Sequence, residues 1–181
     1  MREWIRADFE RQRMTHPVLA RLTFGEHNRT RRYLSMLRHV EYWRGKRRRP
    51  WDWLPLALWT LRLRRYSLKT GMYILPGTCG PGLLLPHPGF VRVDSLVRMG
   101  RNCTILPMVL FGKKKPDSVG RITVGDNCYF GVGSTVLGPV RIGSNVTVAA
   151  GAVVTADVDD NTVVAGVPAR PVKKLNNVIG G

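Results

Sequence analysis

The sequence contains no run approaching the roughly 20 consecutive apolar residues of a bilayer-spanning helix, so no such helix is expected. Acid is scarce too: 12 Asp and Glu stand against 29 Lys and Arg, a formal charge of +17. The opening MREWIRADFE is charged throughout and lacks the apolar core and small-residue cleavage site of a secretory leader, which predicts a cytoplasmic protein. Cysteine is limited to Cys79, Cys103 and Cys128, far apart and without CxxC spacing, so neither a zinc site nor a disulfide framework is expected. Despite the basic balance there is no nucleic-acid reader motif and no aromatic-studded strand in a basic groove, and nucleic acid is not an expected partner. Histidine is sparse as well, at His16, His27, His39 and His87.

What is present is a period. From Val124 to Asp159 a branched or aromatic apolar residue returns every six positions, at Val124, Phe130, Val136, Ile142, Val148 and Val154. Six fits neither the helical turn nor simple strand alternation and marks a repeat. Four positions further on in each unit stand Cys128, Ser134, Val140, Val146, Ala152 and Val158, all small or branched. Gly125, Gly131 and Gly143 follow the leading residue, where a chain turning a corner can use a residue without a Cβ. Extended backwards, the frame gives Leu75, Pro81, His87, Val93, Met99, Ile105 and Phe111, with Cys79, Leu85, Val91, Cys103 and Val109 in the second slot. The three cysteines thus read as small side chains pointing inward rather than as nucleophiles. Between Phe111 and Val124 about one hexad is replaced by an excursion through Lys113, Lys114, Lys115, Pro116 and Asp117, read as a protruding loop.

The chain divides into a basic, Trp-rich helical segment over residues 1–70, a β domain over 71–172 and a tail over 173–181. Residues 1 to 70 hold 18 Lys and Arg against 6 Asp and Glu, net +12, whereas 71 to 181 hold 11 against 6, net +5, so the first part favours an anionic surface. Residues 2 to 13 read as a short helix burying Trp4, Ile5 and Phe9, interrupted at His16-Pro17. A stronger helix is predicted from Thr30 to Trp43, capped by Asn28 or Thr30, with Tyr33, Leu37, Val40 and Trp43 or Arg44 stepping down one face. The stretch from Trp51 to Gly71 is apolar nearly all round and basic at its end. It either packs on the first coil of the repeat, covering exposed backbone groups, or lies on a membrane with its tryptophans at headgroup depth and Arg47, Arg48, Arg49, Arg62, Arg64 and Arg65 on acidic lipid. Both can hold at once.

The hexads, the AGVPAR at Ala165 to Arg170 and the GLLLPHPGF at Gly82 to Phe90 resemble the hexapeptide-repeat acyltransferases, most closely their serine acetyltransferase-like branch. The resemblance covers roughly residues 70 to 174. It implies a mainly β fold, a left-handed parallel β-helix of three hexads per coil, with the N-terminal helical segment attached. The span allows about five coils, a prism about 25 Å long at 4.7 to 4.9 Å per stacked strand. It also implies homotrimers with active sites between neighbouring subunits. The trimeric zinc enzymes of this fold, the γ-type carbonic anhydrases, need several ligating histidines per site. Only His87 lies in the repeat, so no metal is expected.

His87 stands where the frame wants an aliphatic residue, between Pro86 and Pro88, whose rings fix φ. That predicts a corner with the imidazole turned to a groove. By composition alone it reads as a solvated corner histidine. The resemblance makes it catalytic, because that branch places its catalytic histidine after a Gly, three apolar residues and one more, and Gly82-Leu83-Leu84-Leu85-Pro86-His87 matches. The implied reaction is direct acetyl transfer from acetyl-CoA to a hydroxyl, with His87 as general base. The implied cofactor contacts fall at Gly131, Val132, Ala150 and Thr155, with Arg170 and Lys173 on the nucleotide phosphates. Small residues such as Ala149, Ala150 and Gly151 also make packing sense alone. Lys113, Lys114 and Lys115 read either as a solvated loop or as steering groups for anionic CoA or an acidic sugar.

The acceptor departs from the branch. The position matching its upstream aspartate is Tyr73, that of its second aspartate is Pro86, and the Arg-His pair that grips a serine carboxylate falls near Ser118 and Val119. Tyr73 or a backbone carbonyl is left to orient His87. The helical segment, at about 70 residues, is also shorter than that of the branch. The expected function is therefore O-acetylation of a sugar hydroxyl in polysaccharide or glycoconjugate biosynthesis, with peripheral contact to the inner face of a membrane. Serine O-acetylation and a non-catalytic trimeric membrane-associated scaffold are the alternatives.

Overall fold

The computed structural model of the chain describes residues 1–12, 26–46 and 49–175. His16 and the His16-Pro17 interruption lie outside the described residues, as do Arg47 and Arg48. Helices α1 (Arg2–Arg11), α2 (Glu26–Lys46) and α3 (Trp53–Thr70) precede the β region. Its strands then visit three faces in turn. The first face stacks β1 (Met72–Ile74), β2 (Val91–Val93), β5 (Val109–Lys113), β8 (Thr135–Gly138) and β11 (Val153–Val154), all parallel. The second stacks β3 (Val97–Met99), β6 (Ile122–Val124) and β9 (Val140–Ile142), extended by bridges at Cys79 and Val158. The third stacks β4 (Thr104–Ile105), β7 (Tyr129–Phe130), β10 (Thr147–Val148) and β12 (Thr162–Gly166), and β13 (Ala169–Lys174) adds an antiparallel strand. Val91 pairs with Val109 and Val136 with Val154, eighteen residues on in each case, which is three hexads per coil.

Both columns of the hexad point into the prism. From Val124 to Val154 every leading residue is buried, and so is every second-slot residue from Cys128 to Val158. Phe111 and Phe130 meet edge to face at 4.9 Å in the middle. Cys79, Cys103 and Cys128 are buried as read, and burial pushes the Cys79 thiol up to about 11. The backward frame slips in the first coil. Leu75 and His87 are exposed and Pro81 is half-buried, while Ile74 and Leu83 turn inward; the second-slot residues Cys79 and Leu85 are buried as the frame has them. This coil has no coil beneath it, so its corners follow the helices rather than the hexad.

Between the second and third faces the turns end on asparagine, as Gly-x-Asn in three coils and as Asp159-Asp160-Asn161 in the last. Asn102, Asn127, Asn145 and Asn161 all sit at φ 56–57°, the left-handed region asparagine tolerates. Their side chains form a ladder, Asn127 donating to Asn145 at 3.2 Å and Asn145 to Asn161 at 2.9 Å. The glycines before them are needed for clearance: a Cβ on Gly125 would stand 2.6 Å from the backbone nitrogen of Ser144, and one on Gly143 equally close to that of Asp160.

The helices solve the problem of the open end. Tyr33 Oη accepts the Ile74 N–H at 2.8 Å, Glu41 that of Gly77 at 2.8 Å and Asp8 that of Leu83 at 2.9 Å. Arg38 donates to the carbonyls of Cys79 and Gly80, and Arg11 to that of Gly82. Arg38 in turn is clasped by Asp8, with Nε to Oδ2 at 2.8 Å, and both side chains are essentially inaccessible to solvent. Burial works against the charge of Arg38, but Asp8 and Glu41 outweigh it and hold the guanidinium firmly protonated.

The expected burial of Trp4, Ile5 and Phe9 is therefore corrected. In α1 the buried residue is Asp8, because the surface beneath it offers unpaired backbone groups rather than apolar side chains. Trp4 is 40% exposed and rests against Arg38, and Phe9 lies under Arg31. Helix α2 starts earlier than predicted, so Asn28 and Thr30 lie within it rather than capping it. Its buried face holds Tyr33, Leu37 and Val40 as expected, with Leu34 and Arg38 added. Helix α3 packs Leu63 and Ser67 inward and ends at Gly71, which takes φ 73° and donates to the Ser67 carbonyl.

Arg38→Met should lower unfolding stability by about 3–5 kcal/mol, since it leaves Asp8 buried without its charge partner. Urea titration followed by tryptophan emission measures this. Gly125→Ala should cost about 1–3 kcal/mol by forcing two coils apart, while Gly45→Ala, where a Cβ meets nothing within 4 Å, should not destabilise.

Candidate active site

The edge where the third face turns into the first carries most of the predicted site. In the first coil it is the segment between Leu85 and β2, and His87 stands there exposed, its imidazole outside the prism. The next coil turns at Pro107 and Met108, directly above: a Cβ on Gly89 would lie 3.2 Å from Pro107, and the Met108 N–H donates to the Phe90 carbonyl at 2.6 Å. Gly133 donates to the Pro107 carbonyl at 3.1 Å, and Gly151 to that of Val132 at 2.8 Å, so the third and fourth corners continue the column. His87, Gly131, Val132 and Ala150 thus share one edge. Three rung spacings separate the His87 corner from that of Ala150, about 14 Å along the axis.

Gly131 is buried because the corners nearly touch; a Cβ there would come within 2.6 Å of the Ala150 nitrogen. Val132 and Ala150 face solvent. Beyond them Arg170 pairs with Ala165 at the start of β13, and Lys173 pairs with Val163 further along that strand, both exposed. Thr155 does not join the edge. It follows β11 at the far side of the first face, where its carbonyl accepts from Lys114 of the excursion loop. Lys113 donates to the Pro116 carbonyl within the loop, and Lys115 is exposed.

Residues that the hexad frame does not single out complete the edge. Phe90, Met108, Val132 and Val167 leave large apolar surface open there, Met108 at 58% and Val167 at 73%. Met108 is also held at φ 66°, a conformation that non-glycine residues seldom adopt. No sequence signal marks it, since methionine has no special preference for that region. Of the positions departing from the branch, Pro86 is half-buried beside His87, Ser118 is half-buried in the loop and Val119 is 91% exposed. Tyr73 lines a cleft of about 570 Å³ between α2, α3 and β1, together with Val40, Leu63, Ile74, Arg44 and Arg64. Among the described residues no three His, Cys, Asp or Glu side chains gather as a metal site would require.

Chemically the edge offers an accessible imidazole at one end, an apolar path of corners with backbone close to the surface, and basic side chains at the other end. That suits a long ligand with a reactive head and an anionic tail.

Comparison with known proteins agrees with this geometry. Residues 121–156 match the family described as hexapeptide repeat of succinyl-transferase. A serine acetyltransferase of Synechococcus elongatus is 36% identical over 105 residues, 57% of this chain and 43% of that protein. The chain spans about half the length of the curated relatives it matches. Among solved structures, a Brucella abortus serine acetyltransferase in complex with coenzyme A superposes with a TM-score of 0.72 over 97% of this chain and 67% of that one, at 23% identity, which speaks for the fold alone. The soybean serine acetyltransferase apoenzyme superposes with a TM-score of 0.73 at 30% identity, over 94% of this chain and 68% of that one. On that coverage, and with the hexads that build its three faces, the chain belongs to the hexapeptide-repeat acyltransferases, on their serine acetyltransferase-like branch.

Proposed function

We propose that the protein is an acetyl-CoA-dependent O-acetyltransferase with His87 as its general base. The observation that carries this reading is the exposed imidazole at the head of an edge whose later corners hold Gly131, Val132 and Ala150 and whose end holds Arg170. An alcohol is a poor nucleophile at neutral pH, whereas a thioester is already activated, so a base and placement suffice. His87 takes the proton of the acceptor hydroxyl as its oxygen attacks the acetyl carbonyl. The C–S bond then breaks, and the imidazolium returns the proton to the CoA thiolate. Such acid-base help is worth about 10² to 10⁴ in rate, with orientation and backbone donors to the oxyanion supplying more. No acyl-enzyme is needed.

In this reading the pantetheine arm runs along Gly131, Val132 and Ala150, and the nucleotide phosphates meet Arg170 and Lys173. The coils wind left-handed, as in the family, and three chains assemble with their sites between neighbours. The open apolar edge of Phe90, Met108, Val132 and Val167 supports that assembly, because a neighbour seated beside it removes this surface from water. Thr155, on the far side of the first face, then belongs to the site shared with the other neighbour, with the Lys114 loop beside it.

For the acceptor, serine has more support than the sugar hydroxyl expected from the sequence, because the matched relatives are named serine acetyltransferases. One specific observation keeps the sugar reading: Pro86, Ser118 and Val119 stand where the branch has the groups that read serine, while Tyr73, in place of the aspartate that would pair with His87, faces the helical cleft.

His87→Ala should lower turnover by about 10² to 10⁴ while calorimetric titration still shows coenzyme A binding at parental affinity; unchanged turnover removes the base assignment. If the protein is a non-catalytic scaffold, the same titration shows no binding to the parent. Thiol release from acetyl-CoA with serine and with a panel of glycans decides the acceptor: serine-dependent release at high kcat/KM establishes serine, and glycan-dependent release without it establishes the sugar.

A further inference from the structure

The outward face of α3 serves neither the core nor the candidate site. Along it Leu54, Leu58, Leu61 and Leu68 follow at spacings of four, three and seven, one stripe of a helix, and they are 61, 48, 50 and 74% exposed. The opposite face packs Leu63 and Ser67 fully, with Leu56, Trp59 and Tyr66 partly covered. At the N-terminal end Trp51 and Trp53 are 65 and 60% exposed. From Leu54 to Leu68 the stripe runs about 21 Å at 1.5 Å per residue. A helix in water normally turns charge, not leucine, to that side.

Charge identifies what covers it. Arg62, Arg64, Arg65 and Lys69 are exposed on and beside the stripe, with Arg65 inside it. The only acid between residues 50 and 70 is Asp52, which accepts the Arg49 N–H. A second copy placed face to face would set arginines against arginines, within a segment already at net +12. An anionic surface meets the same groups favourably, while the leucines enter an apolar layer and the tryptophans lie at its polar boundary. No helix among the described residues is long and apolar enough to cross a membrane, so the helix lies along the surface rather than through it.

We infer that the outer face of α3 docks the protein on an anionic lipid bilayer. This inference does not depend on the acyl-transfer reading, since none of these residues belongs to the candidate site. The test uses the full chain with vesicles of phosphatidylcholine alone or mixed with phosphatidylglycerol. The protein should sediment with the mixed vesicles, shift its tryptophan emission to the blue and be released by raised salt. Leu58→Ser with Leu61→Ser should weaken binding about tenfold per leucine, and Arg62→Gln with Arg65→Gln about fivefold per charge. Failure of the parent to bind mixed vesicles overturns the inference, as does binding undiminished in both double variants. A drop in assembly size for the leucine variant in vesicle-free sedimentation, without vesicle binding by the parent, assigns the face to a second copy instead.

Discussion

A stack of parallel strands satisfies its backbone groups only in the middle; the first coil has nothing beneath it. Each backbone group left buried and unpaired would cost about 1–3 kcal/mol. In this protein the debt of partners is met by side chains from two helices. Asp8, Tyr33 and Glu41 take N–H groups, and Arg11 and Arg38 take carbonyls. The Asp8–Arg38 pair is the centre of that arrangement, since each partner holds the other while both hold the coil. Buried ion pairs seldom add much net stability, but this one couples helix order to strand order.

The same clamp positions the proposed base. Leu83, whose N–H is held by Asp8, and Gly82, whose carbonyl is held by Arg11, lie four and five residues before His87. The imidazole therefore projects from a corner fixed from below by helices and from above by Pro107 and Met108. Gly131 and Ala150 extend the edge because their corners pack backbone against backbone.

Much of this was legible. The hexad carries it, because each coil has three faces and each face uses two inward residues, so Phe130 or Val148 announces its orientation without knowledge of the rest. His87 was legible as an outward corner from its prolines. The first coil was not, because Leu75 and Pro81 answer to the helices, and nothing local to Asp8 says that its partners lie at Leu83 and Arg38. Thr155 was named only through the resemblance, and the hexad period does not say on which edge a residue that follows an inward Val154 will lie. The asparagine ladder had its own signal, Gly-x-Asn before Cys103, Cys128 and Val146, which apolar periodicity does not use. Met108 had none.

The excursion loop reaches further than its length suggests. Leaving β5, it ties Lys114 to the carbonyl of Thr155, two strands along the same face. Repeat arrays with only nearest-neighbour contacts can unzip from an end one unit at a time. This brace skips a neighbour, and with β13 folded back over the last strand it gives the terminal coils a common fate, so they hold or part together.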